Sequence, residues 1–368
     1  MLAHLITTFR TPVAFAVVLG VLVFIHELGH YLAARWCGVK VETFSIGFGQ
    51  AIARWTDRTG TVWKLAWLPL GGYVKMHGQE RPEDAPPEVR AGWIKGRTFH
   101  GKPVGSRMII VAAGPVANFV LAFVLFSALF AVAGRPVAQA EIGSVVPASA
   151  AAVAGLHAGD RVLAIDGHKI GRFLDIQRIV VARPGGHVDL QIARAGKPET
   201  LPVTLGARVV DGVRQGVLGI SAGKVTYQHL GPASAIAAGA SQTWQITSDT
   251  VGGLWQMISG QRGTADLGGP LRIAELSGQV ARLGLASLVS FIAVLSVNLG
   301  LINLFPIPIL DGGHLLFYIV EAIRGRPVPP RAQEYGYRAG FALLAGLFLF
   351  ATWNDLTQLG IFHWMAGL

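Results

Sequence analysis

Charge is what this sequence has least of. Asp, Glu, Lys and Arg make up 14% of its 368 residues, where an average soluble chain carries roughly 25%. Alongside 52% apolar residues, that scarcity excludes intrinsic disorder and argues against a purely soluble enzyme. Acidic residues are the scarcer kind, 21 against 31 Lys and Arg, for a net charge of +10. Such an excess either faces a polyanion such as nucleic acid or records how a membrane chain is oriented, and its placement decides which. Cysteine is nearly absent. The single Cys37 excludes an internal disulfide framework and a Cys-rich zinc site, and reads as a small buried or interfacial residue.

The apolar residues come in blocks. Met108 to Ala133 holds only Asn118 and Ser127 as clearly polar side chains, long enough to cross ~30 Å of hydrocarbon. Leu283 to Leu310 has no charged residue, and Ala339 to Trp353 is flanked by Tyr335, Tyr337, Trp353 and Trp364, side chains suited to a membrane interface. Pro12 to Ile25 is a further apolar run, interrupted by His26, Glu27 and His30 before Tyr31 to Ala34 resumes it. Arg10 and Ala33-Ala34 imitate the ends of a signal peptide. Cleavage there would discard the most unusual residues in the chain, so Pro12 to Trp36 is read as a retained helix, giving four spans.

Twelve Lys and Arg lie from Arg35 to Arg107 and four from Arg324 to Arg338, while only Arg10 precedes the first span and none follows Arg338. By the positive-inside rule the 35–107 and 324–338 loops are cytoplasmic, and both termini and the long 134–282 segment are external. The basic excess is then topological, and no nucleic-acid partner is expected.

Within the external segment, Glu141 to Lys224 turns to short β-type runs. Ala154-Gly155-Leu156 is followed by Ala158-Gly159-Asp160-Arg161-Val162-Leu163-Ala164-Ile165-Asp166-Gly167. Glycines at tight turns around an alternating strand resemble the core of a PDZ domain of the bacterial protease type. Val188 to Ala193 and Thr200 to Leu205 read as further strands, with a helix over Leu174 to Val181. Gly216-Val217-Leu218-Gly219-Ile220 is either a plain closing strand or the edge where such domains accept an extended peptide, with Leu218, Gly219 and Ile220 in contact. Residues 231–262 have helical periodicity in Trp244, Ile246, Val251, Leu254, Trp255 and Met257, broken by Gln242, Gln245, Ser248 and Asp249. That helix is expected on the membrane surface or against the domain.

His26-Glu27-Leu28-Gly29-His30 is the central signal. Histidines at i and i+4 share a helical face and can meet one zinc ion, with Glu27 able to take a proton from water beside it. Three ionisable side chains inside an apolar helix are expensive unless they bind something. Zinc needs a third protein ligand and an open position. Tyr31 to Trp36 supplies no third histidine. Glu42 would serve in a soluble zincin but lies beyond the helix in a basic stretch. Asp311 is favoured, in Asn303-Leu304-Phe305-Pro306-Ile307-Pro308-Ile309-Leu310-Asp311-Gly312-Gly313-His314. Prolines and glycines break the span there, and broken backbone at membrane depth is tolerated only where it is buried or lines a cavity. His314 is the other candidate, or a group supporting the ligands.

His26 to His30 together with Asn303 to Asp311 resemble the site-2 protease family of intramembrane zinc metalloproteases. The likeness extends over most of the chain through Phe44-Ser45-Ile46-Gly47-Phe48-Gly49, Gly71-Gly72-Tyr73-Val74-Lys75-Met76, Gly114-Pro115-Val116-Ala117-Asn118 and Leu267-Gly268-Gly269-Pro270-Leu271-Arg272-Ile273-Ala274. The resemblance implies a single Zn2+ per chain held by His26, His30 and Asp311. It implies Glu27 as catalytic base and Asn303 as a contact to substrate or to the developing oxyanion. It also implies a β-hairpin over 44–76 whose edge, at Gly71, Gly72, Tyr73 and Val74, pairs with an unwound substrate. Implied substrates are single-pass proteins of the bacterial inner membrane, such as an anti-sigma factor already trimmed by a site-1 protease, or remnant signal peptides. The enteric form carries two tandem PDZ domains, whereas 134–282 holds one, which puts a two-domain size filter in doubt.

The expected fold is an α-helical polytopic membrane protein with four transmembrane helices, a cytoplasmic-side membrane-associated β-hairpin and an inserted periplasmic α+β PDZ domain. Its order is a first span at 1–36, a loop with the hairpin at 37–106, a second span at 107–134 and the PDZ domain at 135–225. A membrane-surface helical segment at 226–282, a broken third span at 283–323, a cytoplasmic loop at 324–338 and a fourth span at 339–368 complete it. The active site is expected within the bilayer, toward the cytoplasmic side. Two rival classes are a catalytically dead scaffold, which intact Glu27 opposes, and a metal transporter, which would need a path of ligands instead of one cluster.

Overall fold

The computed structural model of the chain describes residues 2–80, 85–210, 213–261 and 268–358. Trp364, expected as an interface anchor, and Leu267 lie outside the described residues. Four described helices are long and apolar enough to cross a membrane: Arg10–Trp36, Val104–Val132, Leu285–Leu304 and Pro330–Thr357. Much of their apolar surface is left bare, including Val13, Val17, Val120, Val124, Phe341 and Leu349. Water does not tolerate that much exposed hydrocarbon, and lipid does. The packing divides the chain into two compact units, Met1–Ala128 with Gly239–Val251 and Thr264–Leu368, and Leu129–Ala238 with Gly252–Gly263.

The first unit begins with helix α1 (Leu2–Trp36) and strands β1 (Val41–Thr56) and β2 (Val62–Met76), then a short helix α2 (Pro87–Ala91) and the long helix α3 (Val104–Val132). Small residues let α1 and α3 touch: a Cβ on Gly29 would run into the Ala113 backbone and Ala117, as expected where helices pack without water to drive them together. Val18 and Leu22 of α1 bury against Ile292 of a later helix.

The expected hairpin is more folded than a hairpin. Residues 41–46 pair with 72–76 on one side and 62–65 on the other, and 51–56 pair again with 62–66. Two bent strands thus make a four-segment sheet. Gly47 (φ +84°) and Gly71 (φ +96°) supply the bends, in a backbone region other residues rarely enter. One face packs Phe44 and Trp63, stacked at 4.4 Å between centroids, onto Tyr31 of α1. Phe48, Ile52, Trp55 and Trp67 of this sheet stay exposed.

The second unit carries β3 (Arg135–Ala138), β4 (Ile142–Val145), α4 (Ala150–Val153), β5 (Arg161–Ile165), β6 (His168–Lys169), α5 (Phe173–Val181), β7 (His187–Arg194) and β8 (Lys197–Thr204). β9 (Gly206–Val210), β10 (Val213–Val217), β11 (Ile220–Ala222) and β12 (Val225–Gln228) follow. An antiparallel sheet of order β6-β5-β7-β8 turns Val188, Leu190 and Ile192 into a core with Val162, Ile165, Phe173 and Ile176. Period-2 alternation in β7 and helical spacing in α5 meet in one apolar interior. β12 pairs with β3 through Gln228, past the expected boundary at 225. Within the core, Asp160 accepts a bidentate pair of hydrogen bonds from Arg194 at 2.9 and 2.7 Å.

Helix α6 (Pro232–Ile258) leads on to α7 (Pro270–Arg282), α8 (Leu285–Leu304), α9 (Asp311–Arg324) and α10 (Pro330–Gln358). The 231–262 periodicity was expected to lie flat on the membrane or on the β domain. In the structure Gly239 of α6 abuts Ser127 of α3, and Thr250 donates to Asn298 of α8 at 3.0 Å. Of its polar residues Thr250 thus finds a partner on an apolar helix, whereas Gln245, Ser248 and Asp249 are exposed. Between α8 and α9 the backbone breaks over 305–310 as the Pro and Gly pattern requires. Carbonyls of Leu304, Phe305 and Ile307 crowd the faces of Gly312 and Gly313, where a Cβ would not fit.

Candidate active site

His26 and His30 project from one face of α1, their rings edge to face at 4.8 Å between centroids. His30 Nδ1 donates to the Ile110 carbonyl at 2.9 Å, and His26 Nδ1 lies 3.1 Å from the Asn118 carboxamide. Both partners are on α3, which comes this close because Gly114 has no side chain; a Cβ there would strike both imidazoles. The break before α9 brings Asp311 to the same point. It opens α9, where the unpaired N–H groups and dipole of a helix start favour a carboxylate.

The three side chains form a triangle. His26 Nε2 to His30 Nε2 is 3.3 Å, His26 Nε2 to Asp311 Oδ2 is 3.1 Å, and His30 Nε2 to Asp311 Oδ2 is 3.4 Å. Ligands around tetrahedral zinc at 2.0–2.2 Å stand roughly 3.3–3.5 Å apart, so the spacing fits the ion. The donor set of two imidazoles and a carboxylate fits it too. A proton between the rings can join the two Nε2 atoms, but Asp311 Oδ2 is then left buried with no hydrogen bond. A buried carboxylate oxygen without a partner is costly, and a cation shared by all three removes that cost.

Glu27, Asn303, Gly72, Tyr73 and Val74 line a cavity of about 440 Å³ together with the triad. The Val74 backbone lies within hydrogen-bond reach of Glu27, and Gly72 leaves the space its carboxylate stem occupies. Gly71 does not line the cavity; it turns the strand beneath Phe48. Among the described strands the 72–76 segment is paired on one side only, which leaves an open edge beside Glu27. Glu42, the alternative third ligand, is elsewhere, bound to Lys75 at 3.1 Å and His77 at 2.8 Å. Partial burial opposes its ionisation, yet these two partners hold its carboxyl below the ordinary value. His314 lines the cavity but is not in the triangle; its Nδ1 is 3.3 Å from Tyr337 Oη. Tyr337, expected at the membrane interface, therefore faces the cavity, because Gly340 lets α10 lie on the Pro308 backbone.

Leu218, Gly219 and Ile220 belong to the other unit. The Leu218 side chain is 3% exposed and is part of that unit's core, so it cannot touch a peptide as first expected. It lies in the connection between β10 and β11 and turns inward. Gly219 (φ +80°) makes the turn into β11, and β11 pairs with β4 alone among the described strands. The sequence reading missed Arg107, which lines the cavity and whose guanidinium reaches Glu321 at 2.7 Å. It also gave Asn118 no role, although a lone carboxamide in an apolar span was a signal for one.

The pattern of peptidase family M50 matches residues 14–347. A Rhizobium meliloti protein named as a zinc metalloprotease is 45% identical, covering 94% of this chain and 96% of that protein. A protein of Agrobacterium fabrum with the same description is 42% identical, covering 94% and 96%. The regulator of sigma-E protease of Salmonella typhimurium is 35% identical over 447 aligned positions, covering 94% of this chain and 98% of that protein. That alignment exceeds the 368 residues here, so the Salmonella protein has stretches this chain lacks. Among solved structures, the PDZ domain of an SdrC-like protein from Listeria monocytogenes is 24% identical with a TM-score of 0.21, covering 23% of this chain and 87% of that one. The chain belongs to peptidase family M50, the site-2 proteases, and is a zinc metalloprotease.

Proposed function

We propose that this protein is an intramembrane endopeptidase that cuts the transmembrane segments of single-pass proteins in a bacterial inner membrane. The observation that carries the reading is the triangle of His26, His30 and Asp311 inside a cluster of lipid-type helices, with a buried carboxylate oxygen that has no hydrogen bond. His26, His30 and Asp311 would hold about one zinc. Bound there, zinc supplies polarisation of the scissile carbonyl and a lowered pKa for water. Glu27 takes the proton from the attacking water and returns it to the leaving amine. Asn303 donates its carboxamide N–H to the oxygen that gains charge.

A helical substrate hides each carbonyl in i→i−4 hydrogen bonding, so it must unwind before it is cut. The one-sided 72–76 strand supports that step. Gly72, Tyr73 and Val74 offer backbone groups to an extended chain beside Glu27. Exposed Trp55, Trp67 and Ile52 suit a hairpin that dips into the membrane. The β3–β12 unit is read as a single periplasmic PDZ domain, with the backbone of Gly219 and Ile220 and the open edge of β11 receiving or gating the substrate end. Both termini would share that side. The Salmonella relative's name ties it to sigma-E regulation, and an anti-sigma factor trimmed by a site-1 protease, or a remnant signal peptide, is the substrate class we assign here.

The test is fragment mapping by mass spectrometry on a single-pass model substrate in detergent. Wild type should release fragments ending within the span, and Glu27→Gln should release none. Cuts confined to soluble loops, or cleavage that survives Glu27→Gln, would overturn the reading.

A further inference from the structure

Asn118 is a polar residue for which the mechanism has no use, yet it is among the most deeply buried side chains in the molecule, at 0% exposure. Its backbone carbonyl accepts from Ser296 of α8 at 2.8 Å, which fixes this turn of α3. Among the described residues its carboxamide bonds to His26 Nδ1 at 3.1 Å, presenting Nδ2 to the ring, while Oδ1 is buried without a partner.

Two buried acceptors near the triad are therefore orphaned, Asn118 Oδ1 and Asp311 Oδ2. The first follows from how the Asn118 amide is turned, and the second is the acceptor a shared cation would satisfy. With Asn118 donating to His26 Nδ1, the His26 proton must sit on Nε2, the atom that points at Asp311 and His30. An Nε2 that carries a proton cannot bind a metal. His30 has the opposite arrangement: the Ile110 carbonyl can only accept, so Nδ1 is the N–H and Nε2 is free. Turning the Asn118 amide by 180°, which leaves its shape unchanged, gives His26 the same arrangement.

We propose that Asn118 is a positioning residue for the metal: its Oδ1 accepts a hydrogen bond from His26 Nδ1–H and so holds His26 in the tautomer whose Nε2 can bind zinc. The inference rests on the zinc reading of the site. It matches the general design in which a metal-bound histidine gives its other N–H to an acceptor behind it, whose loss typically weakens metal binding 10–100-fold. α3 thereby supplies an acceptor to each ligand, Ile110 to His30 and Asn118 to His26, one on either side of Gly114.

The test is zinc affinity of the full chain in detergent, measured by competition with a chelator, with the visible spectrum of the cobalt-substituted protein beside it. Asn118→Leu keeps the volume and loses the acceptor; its zinc affinity should fall about 10–100-fold, with altered cobalt bands. Asn118→Asp keeps an acceptor and should hold zinc as tightly as wild type. In a His26→Ala background, Asn118→Leu should cost nothing further. Equal affinity and spectra in wild type and Asn118→Leu would overturn the proposal, as would Asn118→Asp, folded, losing zinc as Leu does. If Asn118→Leu does not fold, the Asp variant decides alone. Failure of the zinc reading is distinct: wild type would then take up no zinc, or His30→Ala would take up as much as wild type.

Discussion

His26 and His30 were legible as a pair because an i, i+4 spacing puts any two side chains on one helical face. Asp311 was legible because prolines and glycines in an apolar run have few reasons to be there. Asn118 was visible as an oddity, but its partner lies 92 positions away, and no spacing rule connects them. Asp57 was invisible altogether. In the turn between β1 and β2 it accepts from the Thr59 and Thr61 amides at 2.8 and 3.0 Å, from Trp63 Nε1 at 3.0 Å, and from Tyr31 Oη of α1 at 3.2 Å. Burial works against its ionisation, but the bonds from Trp63, Thr59 and Thr61 win and hold its carboxyl well below the usual range. A depressed carboxyl stabilises the folded sheet above its unfolded value of about 3.9 and ceases to do so as pH falls through the folded value. Glu42 has the same sign. Hydrogen exchange of the 41–76 amides should thus be pH-independent in protection from about pH 7 to 5 and lose protection only well below about pH 4. Asp57→Ala should lower protection at pH 7 by about 1–3 kcal/mol, through stranded donors. Equal protection in wild type and Asp57→Ala would refute this role.

At the scale of elements, glycines set most of what the hydrophobic pattern could not. The family resemblance implied a β-hairpin over 44–76, but such a likeness carries no information on where its strands bend. Gly47 and Gly71 bend them, and the resulting sheet puts one open edge at the cavity. Likewise, Pro and Gly marked the break after α8, whereas its shape depends on Ile309 at φ +98°. That conformation costs a β-branched residue on the order of 1–3 kcal/mol, which the packed carbonyls around Gly312 and Gly313 must offset. The α6 periodicity foretold a helix and not its neighbours, because Thr250 and Asn298 satisfy each other only once assembled. Gly114 makes the clearest case for a test. Since its missing side chain is the space in which both imidazoles stand, Gly114→Ala should push α3 from α1 and weaken zinc binding by at least about tenfold. Chelator competition measures it, and unchanged affinity would mean the helices have room that the structure denies.

Across the whole molecule, the scarcity of charge and the four apolar runs foretold the helical membrane architecture, and the described helices Arg10–Trp36, Val104–Val132, Leu285–Leu304 and Pro330–Thr357 bear them out. The β unit was legible from its turns and strands, down to the Phe173–Val181 helix. What was not legible was convergence: residues 26 to 30, 118 and 303 to 311 meet only through the packing of four helices, α1, α3, α8 and α9. The account's central claim is that this meeting point is a zinc site at which Glu27 does chemistry without holding the ion. The most direct measurement is zinc per chain, by elemental analysis of purified wild type, Glu27→Gln, His314→Ala and Asp311→Ala. The account predicts about one zinc per chain in the first three and a large loss in Asp311→Ala. Full occupancy in Asp311→Ala, with the loss falling on His314→Ala or Glu27→Gln instead, would contradict it.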